Sequence, residues 1–195
     1  MSFKALLTPL LRGYLRLIFR VKVNGSVPKD GAYILCANHT SLYDPVVVGA
    51  FSRRSLSFMA KAELFKIFGL GFLIKHLGAF PVDRNKADIK AIKTALSILK
   101  SGEALLMFPE GKRVKSGESS DAKSGMIMLA HKTGASIVPV GINSDYKLFS
   151  KLTVTFGEAV SLSEYSGKRL SSEEMDALAQ DVLSKIKSLA GADGE

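Results

Sequence analysis

Short apolar runs alternate with helical patterns along most of the chain. Five runs have the composition of buried strands, and they cover residues 33–37, 56–60, 79–82, 104–108 and 136–142. A sixth run, residues 152–156, predicts an edge strand. Strands that alternate with helices in this way predict an α/β fold, in which a mainly parallel or mixed central sheet carries helices on both faces.

The helical patterns between these runs have recognisable ends. Asp44 and Pro45 are the residue types expected for a helix cap and a first helical residue, and Ser171 with Glu174 forms a capping box. The further helical patterns cover residues 62–75, with breaks at Gly69 and Gly71, 88–100, 124–131 and 171–189.

Residues 1–22 form a strongly amphipathic segment, with apolar side chains on one arc of a helix and cations on the other. The apolar arc holds Phe3, Leu6, Leu7, Leu10, Tyr14, Leu17, Ile18 and Val21, and the opposite arc holds Lys4, Thr8, Arg12, Arg16 and Arg20. Because Thr8 and Pro9 resemble a helix cap followed by a first-turn proline, they predict a bend between two short helices.

Two interpretations of this N-terminal segment stay open. The helices pack on their own domain with the cations facing water, or they lie in a membrane interface. In the second case the leucines enter the acyl boundary, and each cation near an anionic surface adds ~1 kcal/mol. Residues 1–22 are therefore set apart from residues 23–195, which we predict to form one domain.

The composition is that of a globular protein with a cationic surface. Of 195 residues, 47% are hydrophobic and 23% are charged, and the net charge is +9. Such a surface favours phosphate-bearing partners, which include nucleic acid, anionic lipid and phosphorylated small molecules. Because Trp is absent and no cationic block is interleaved with aromatic residues, nucleic acid is the least favoured of the three.

Cysteine usage and hydropathy predict a reducing compartment and no membrane span. Cys36 is the single cysteine, so an internal disulfide is excluded, and its apolar run predicts burial. The closest candidate for a span, residues 67–74, is far shorter than the ~18 residues required. Cations interrupt the apolar N-terminal segment, so we expect no signal peptide.

Three polar motifs follow predicted strands. They are His39 after the run 33–37, Asp83-Arg84-Asn85 after 79–82, and Glu110-Gly111-Lys112-Arg113 after 104–108. In open sheets, ligands bind outside the carboxyl ends of the strands. If these strands are parallel neighbours, we expect a base and a group of cations to share one cleft.

His39 and Asp44, separated by four residues, predict a general base with an orienting carboxylate. The carboxylate fixes the tautomer so that the other ring nitrogen accepts a proton, which typically contributes ~10²- to 10⁴-fold in rate. Attack by an alcohol on an activated acyl carbon, such as a thioester, suits this pair. The alternatives are a surface histidine near a structural aspartate, and Ser41 as a nucleophile instead of a residue that bonds the turn.

Arg84 and Arg113 predict a clamp for a phosphate monoester, because guanidinium groups match phosphate oxygens in a bidentate way. Surface salt bridges are the alternative role for both. Gly111 lets the backbone approach a ligand closely, and Glu110 orients an arginine or accepts a hydrogen bond from a substrate hydroxyl. A simple β-turn at Pro109-Glu110-Gly111 is the alternative here.

Four segments together resemble a known family. In order and spacing they resemble the motif blocks of the 1-acylglycerol-3-phosphate acyltransferases, within the HxxxxD glycerolipid acyltransferase superfamily. The segments are His39-x-x-x-x-Asp44, Gly78-Ala79-Phe80-Pro81-Val82-Asp83-Arg84, Phe108-Pro109-Glu110-Gly111-Lys112-Arg113 and Ile137-Val138-Pro139-Val140-Gly141. The resemblance spans roughly residues 33–145.

The resemblance implies roles for individual residues. It implies His39 as the base and Asp44 as its partner. It implies substrate binding through Arg84, Glu110, Gly111, Lys112 and Arg113, and an acyl-chain or structural role for Pro139 and Val140. Lys112 departs from the family, which usually has threonine at this position. The added cation would strengthen phosphate binding or face solvent.

The resemblance also implies an activity and a location. The expected reaction transfers an acyl group from acyl-CoA or acyl-carrier protein to the sn-2 hydroxyl of 1-acylglycerol 3-phosphate (lysophosphatidate), and forms phosphatidate in phospholipid biosynthesis. The acyl thioester is a co-substrate, and we expect no cofactor, no metal and no nucleic acid. Residues 1–22 would dock the catalytic domain, residues 23–195, as a peripheral protein on phospholipids at the cytoplasmic face of a membrane.

Other functions compete with this one. The same base would serve an acyltransferase that acts on glycerol 3-phosphate or on another lysophospholipid. A non-catalytic protein that binds anionic lipid is a rival of a different class. A metal-dependent hydrolase is disfavoured, because His39, His76 and His131 form no recognisable ligand motif.

Overall fold

The apolar runs form the strands of one seven-stranded sheet in the computed structural model, which describes residues 3–83, 88–111, 113 and 121–191. The strands are β1 (Arg20–Asn24), β2 (Tyr33–Ala37), β3 (Leu56–Lys61), β4 (Ala79–Val82), β5 (Ala104–Met107), β6 (Ser136–Asn143) and β7 (Lys151–Phe156). Their order in the sheet is β1-β7-β6-β2-β5-β3-β4. Neighbouring strands are parallel except β6 and β7, which are antiparallel. The mixed sheet confirms the predicted α/β class.

Among the residues that the structure describes, six α-helices cover the two faces of this sheet. They are α1 (Phe3–Ile18), α2 (Asp44–Phe51), α3 (Leu70–His76), α4 (Ile89–Lys100), α5 (Gly125–Thr133) and α6 (Ser172–Gly191), and a short 3₁₀ helix (Ala62–Lys66) precedes α3. The capping box is present, because the backbone N–H of Ser171 donates to Glu174 Oε2 at 2.7 Å and that of Glu174 donates to Ser171 Oγ at 3.2 Å. The helical patterns after residue 43 appear as predicted, but the prediction of Asp44 as a helix cap was wrong. The cap is Tyr43 and Asp44 is the first residue of α2, because its carboxylate accepts from the preceding N–H groups of Thr40 and Ser41.

Each face of the sheet has its own hydrophobic core. Side chains alternate along a strand, so Leu35 and Ile34 of β2 belong to different cores. Leu15 of α1 and Val47 of α2 pack with the Leu35 side. Helices α4, α5 and α6 pack with the Ile34 side. The central strand β2 is buried along its whole length, as expected for a parallel strand with helices on both faces.

The segment α3 belongs to the same layer as α1 and α2. Leu77, directly after α3, lines a cavity together with Thr8 and Pro9 of α1. Connections between parallel strands are right-handed, so two connections that move in the same direction across the sheet place their helices on the same face. The chain moves in one direction from β2 to β3 and from β3 to β4, so α2 and α3 lie on one face. We name the side covered by α1, α2 and α3 the front face, and the side covered by α4, α5 and α6 the back face.

The N-terminal segment differs from its prediction. It forms one helix of 16 residues that contains Pro9, so the expectation of two short helices with Thr8 as a cap was wrong. Proline removes one backbone hydrogen bond from a helix. The helix nevertheless continues, because the residues after Pro9 are held on the domain through Leu11 and the fully buried Leu15.

The edge of the sheet also differs from the prediction. Residues 20–24 form strand β1, so the prediction that places Val21 on the helical arc is wrong. Val21 and Val23 suit a strand because β-branched residues fit a pleated surface. β1 pairs in parallel with β7, so β7 lies between two strands and is not the predicted edge.

Candidate active site

His39 lies in the loop between β2 and α2, at the carboxyl end of a central strand. The Asn38 side chain fixes this loop on β6, since its Nδ2 donates to the carbonyl of Ile142 at 2.9 Å and its Oδ1 accepts from the Ile142 N–H at 2.8 Å. His39 is largely buried, with 6% of its surface exposed. The loop therefore holds the imidazole in one place, next to the sheet.

Asp44 orients the imidazole of His39. The two side chains meet at 2.9 Å between Nδ1 and Oδ2, and Asp44 is completely buried. The backbone N–H groups of Thr40 and Ser41 also donate to Oδ2, both at 2.7 Å. Asp44 is the first residue of α2, where the helix dipole favours a negative charge. A carboxylate at Nδ1 keeps the proton on that nitrogen, so Nε2 is the atom that can accept one.

Tyr146 completes the surroundings of Asp44, and the sequence analysis missed this role. Its hydroxyl donates to Asp44 Oδ1, and its ring stacks on Tyr43 at a centroid distance of 5.6 Å. Burial, followed by the charge of Asp44, raises the pKa of Tyr146, so it remains a hydroxyl donor. Its backbone has φ 55°, which is uncommon for a residue other than glycine. The only sequence signal is its position shortly after the fourth motif block.

Glu110 joins the loop after β5 to the loop after β2. Its Oε2 accepts the backbone N–H of His39 at 3.1 Å, and its side chain is buried. Burial raises the pKa of Glu110, and the hydrogen bond from His39 partly offsets this effect. The described residues thus place Glu110 against the backbone of the base. The predicted contacts with an arginine or a substrate hydroxyl stay predictions.

The β-turn at Pro109-Glu110-Gly111, which was the alternative prediction for the third motif, is also present. The N–H of Gly111 donates to the carbonyl of Phe108 at 3.0 Å, and Gly111 has φ 68°. This left-handed conformation favours glycine. The turn and the contact of Glu110 with His39 therefore occur together.

Phe108 forms one wall of the site, which the sequence did not indicate. Its ring lies parallel to the imidazole of His39, with 4.1 Å between the centroids and 22° between the planes. Phe108 also packs against the hydrophobic core of the front face. The imidazole is therefore shielded from water on one side, and it lies on the front side of the sheet.

Two further motif residues line a second cavity. Asp83 and Gly111 line this cavity of about 260 Å³ together with Phe108 and Lys123. The sequence analysis did not single out Lys123. Its Nζ lies 3.1 Å from the position that a Cβ on Gly111 would occupy. Its backbone N–H donates to Pro109 at 2.9 Å, which brings the chain back to the third motif.

The sheet order explains which predicted residues meet. β2 and β5 are parallel neighbours, so His39 and Glu110 touch, whereas β3 separates β4 from β5. Arg84 and Lys112 lie outside the described residues. Arg113 is exposed. The clamp formed by Arg84 and Arg113 stays a prediction.

Three other predicted residues have clear structural positions. Ser41 Oγ accepts the N–H of Tyr43 at 3.2 Å, which agrees with its interpretation as a residue that bonds the turn. Pro139 and Val140 are buried in β6, where they align with Cys36 and Ala37 of β2. Val140 belongs to the core of the front face.

The described part of the chain lacks two kinds of feature. Among residues 3–83, 88–111, 113 and 121–191, no group of three or more His, Cys, Asp or Glu side chains is arranged to hold a metal ion. Over the same residues, the helices are too short or too polar to cross a membrane.

Comparison with known proteins identifies the class of protein. Residues 19–143 match the family model described as Acyltransferase, and the chain belongs to this family. Its relatives include the 1-acyl-sn-glycerol-3-phosphate acyltransferase of Streptococcus pneumoniae, with 32% identity over 83% of this chain, and that of Bacillus subtilis, with 29% identity over 84%. The alignment covers 61% of the Streptococcus relative and 84% of the Bacillus relative.

A solved structure shows the same fold. The crystal structure of the 1-acyl-sn-glycerophosphate acyltransferase PlsC from Thermotoga maritima matches with a TM-score of 0.76 and 28% sequence identity. The match covers 95% of this chain and 80% of that chain. Nearly the whole architecture described above is therefore shared with this acyltransferase.

Proposed function

We propose that the protein is an O-acyltransferase that transfers an acyl group from a thioester donor to the sn-2 hydroxyl of 1-acylglycerol 3-phosphate and forms phosphatidate. The observation that carries this proposal is the buried pair of His39 and Asp44, with Nδ1 held at 2.9 Å from the carboxylate. The names of the relatives from Streptococcus pneumoniae and Bacillus subtilis support the choice of acceptor.

The proposed reaction uses His39 as a proton carrier. Nε2 accepts the proton of the acceptor hydroxyl as its oxygen attacks the thioester carbon, and a tetrahedral intermediate forms. The C–S bond then breaks, and the leaving thiolate takes the proton from the imidazolium. Asp44 stabilises the imidazolium between the two steps, and base catalysis of this kind typically contributes ~10²- to 10⁴-fold. The donor is acyl-CoA or acyl-carrier protein, and no side chain forms a covalent intermediate.

The acceptor phosphate is proposed to bind around the third motif. Lys123 lies against Gly111. Arg84, Lys112 and Arg113 belong to the motifs for which the sequence predicts phosphate binding. Guanidinium and ammonium groups both bind phosphate, and the guanidinium does so in a bidentate way. The net charge of +9 attracts the same anion over longer distances.

Helix α1 supports the proposal that the protein works as a peripheral protein at the cytoplasmic face of a membrane. The inner side of the helix is held on the domain by Leu15 and by Arg12, whose guanidinium donates to the carbonyls of Ala50 and Ser52. The outer side exposes a stripe formed by Leu6, Leu10, Tyr14 and Leu17. This arrangement favours the interfacial interpretation, because a helix packed only on its own domain would bury its apolar arc.

A cavity of about 340 Å³ on the front face is proposed to hold an acyl chain. It lies between α1, α2 and the sheet, and its walls include Leu11, Phe58 and Leu106. Pro45, which follows Asp44, lines the same cavity. An acyl chain bound there would therefore end close to the pair of catalytic side chains.

The decisive test is product identification with separate substrates. Purified protein is incubated with lysophosphatidate, glycerol 3-phosphate or lysophosphatidylcholine, each with acyl-CoA and with acyl-carrier protein as the donor. We expect phosphatidate from lysophosphatidate, and a loss of ~10²-fold or more in rate for His39→Ala, which should keep its fold. His131→Ala is the matched control, because this imidazole contacts the Tyr165 carbonyl at 3.0 Å on the back face.

The other outcomes identify the rival functions. Product formed only from glycerol 3-phosphate or lysophosphatidylcholine would change the acceptor. Lipid binding without any acyl transfer, equal in the wild type and in His39→Ala, would indicate a non-catalytic lipid binder.

A further inference from the structure

The loop between the 3₁₀ helix and α3 carries a compact apolar surface that the proposed reaction does not use. We propose that Ile67 and Phe68, supported by Phe72, insert into an anionic lipid leaflet and form a second membrane contact beside α1. This inference rests on the proposed function, because a bilayer-resident acceptor brings the enzyme to the membrane. We name residues 66–75 the α3 loop surface.

The exposure of these side chains is unusual for a soluble protein. Phe68 is fully exposed, and the exposed fractions of Ile67 and Phe72 are 51% and 63%. Scattered apolar residues on a surface are ordinary, but a contiguous exposed group at one site marks an interaction surface. These three side chains lie within six consecutive residues, so they meet this condition.

The α3 loop surface is built on a well-defined backbone. Gly69, with φ 75°, reverses the chain before α3 and leaves Ile67 and Phe68 at the apex. The N–H of Gly71 donates to the carbonyl of Ile67 at 2.9 Å. Gly71 itself is buried against the backbone of Phe65, where a Cβ would lie 2.3 Å from the carbonyl oxygen. The apolar side chains are therefore presented on a compact turn.

Charge identifies the partner as an anionic leaflet. Lys66 and Lys75 are both exposed and flank the apolar group, and residues 66–76 contain no Asp or Glu. The nearest acid in the chain, Glu63, forms an ion pair with Lys61 at 3.1 Å. Apolar side chains that enter the acyl boundary between cations at headgroup level are the arrangement that anionic membranes bind.

The position in the fold agrees with this partner. The α3 loop surface and the exposed stripe of α1 belong to the same layer, on the face of the sheet that carries His39. Leu77 at the end of α3 and Thr8 of α1 line the same cavity. Two contacts in the same layer would set the orientation of this layer toward the leaflet, which a single amphipathic helix does not do.

The absence of Trp from the sequence makes a direct test possible. Phe68→Trp introduces a single indole at the apex, and Ile89→Trp introduces one at an exposed site of α4 on the back face. With vesicles that contain phosphatidylglycerol, we expect the emission of Phe68→Trp to shift to shorter wavelength and to be quenched by brominated acyl chains. The emission of Ile89→Trp should not change. Equal spectra for Phe68→Trp with and without vesicles would overturn the proposal.

A binding measurement with Ile67→Ser/Phe68→Ser complements the fluorescence. We expect vesicle affinity to fall by about tenfold or more, since burying a Phe side chain alone has an effect of this size. Ile89→Ser is the matched control and should bind like the wild type. A loss of self-association with unchanged vesicle binding would assign the surface to a second copy of the chain and contradict the proposal.

An activity measurement separates this inference from the proposed function. With a short-chain acceptor that is soluble in water, Ile67→Ser/Phe68→Ser should transfer acyl groups at the wild-type rate. If the wild type transfers no acyl group, the proposed function fails, whereas the vesicle measurements still decide the membrane contact.

Discussion

The two faces of the sheet present opposite surfaces to their surroundings. On the back face, the exposed positions of α6 are mainly polar, and its buried residues are Ala179, Val182, Leu183 and Ile186. Among the described residues, Ile89 of α4 is the single large apolar side chain that the back-face helices expose. On the front face, α1 and the α3 loop surface expose Leu6, Leu10, Tyr14, Leu17, Ile67, Phe68, Phe72 and Leu73.

The comparison between α1 and α6 shows what amphipathicity means in each case. In α6 the apolar stripe faces the core and the polar residues face water, as in a helix of a soluble domain. In α1 the apolar stripe faces outward, and packing depends on Leu15 and on the hydrogen bonds of Arg12. A helical pattern therefore reveals two sides of a helix but not which side meets the protein.

The proposed chemistry lies on the front face, which is the face with the exposed apolar side chains. His39 stacks on Phe108, which belongs to the front core. The cavity proposed for an acyl chain is also on the front face, between α1 and α2. The proposed base, the cavity and both exposed apolar surfaces therefore lie on one face, which is the arrangement that an enzyme with a lipid substrate needs.

The largest expected effect is on the free energy of unfolding, and it distinguishes buried side chains from exposed ones. Leu15→Ala on the front face and Ile186→Ala on the back face each remove a fully buried side chain, so each should lower the free energy of unfolding by about 2–5 kcal/mol. Leu17→Ala, at a position that is 73% exposed, should change it by less than about 0.5 kcal/mol. Urea denaturation measures all three variants.

The outcome for Leu15→Ala tests the docking of α1 directly. If it were as harmless as Leu17→Ala, α1 would not be packed on the domain in solution, and the front face would lose its first helix. A large cost for Leu17→Ala would instead mean that the outer stripe is covered.

Much of the fold follows from local patterns in the sequence. The five apolar runs became β2 to β6, and the capping box at Ser171 marks the start of α6. These features depend on neighbouring residues, so a single sequence reveals them. β1 and the continuous α1 were missed, because their structure depends on pairing with β7 and on packing against the domain.

The contacts of the candidate site also divide into those that local sequence predicts and those that depend on the fold. His39 and Asp44 are five positions apart, and their contact could be predicted from spacing and residue type. The contact of Tyr146 with Asp44 joins residues 102 positions apart, and no local pattern indicates it. The contact of Glu110 with the backbone of His39 depends on β2 and β5 being neighbours.

A smaller effect tests whether Tyr146 positions the base. Tyr146→Phe keeps the ring that stacks on Tyr43 and removes the hydroxyl that donates to Asp44. A hydrogen bond to a charged group contributes about 1.5–3 kcal/mol. His39 keeps its own contact with Asp44, so only part of this free energy should be lost in the transition state. We expect about a 3- to 10-fold decrease in kcat with little change in KM.

Tyr43→Phe is the matched control for this prediction. It lies on the other side of the stacked pair, and it should keep the wild-type kcat. Equal losses in both variants, or a loss confined to thermal stability, would mean that the aromatic pair is structural and that the front-face site needs only His39 and Asp44.

The smallest expected effect is on the pH dependence of stability. It compares the carboxyl group of Glu110, at the candidate site, with that of Glu173 in the back-face helix α6. Burial raises the pKa of Glu110 above its ordinary value of 4.5, so the folded state favours the protonated form. The contribution of Glu110 to stability is therefore present below pH 4.5 and is lost as the pH rises through the raised pKa. Glu110→Gln keeps an acceptor for the N–H of His39 and does not titrate. Relative to this variant, the wild type should lose stability above pH 4.5.

Glu173, at the start of α6, should show the opposite sign. Hydrogen bonds from its own backbone N–H and from Ser171 lower its pKa, so its contribution is present above pH 4.5 and is lost as the pH falls through the lowered pKa. Relative to Glu173→Gln, the wild type should therefore lose stability on acidification. Denaturation midpoints measured across this pH range decide the question. The same sign for both residues would mean that Glu110 is not held in an apolar surrounding, and that the front-face site is open to water in solution.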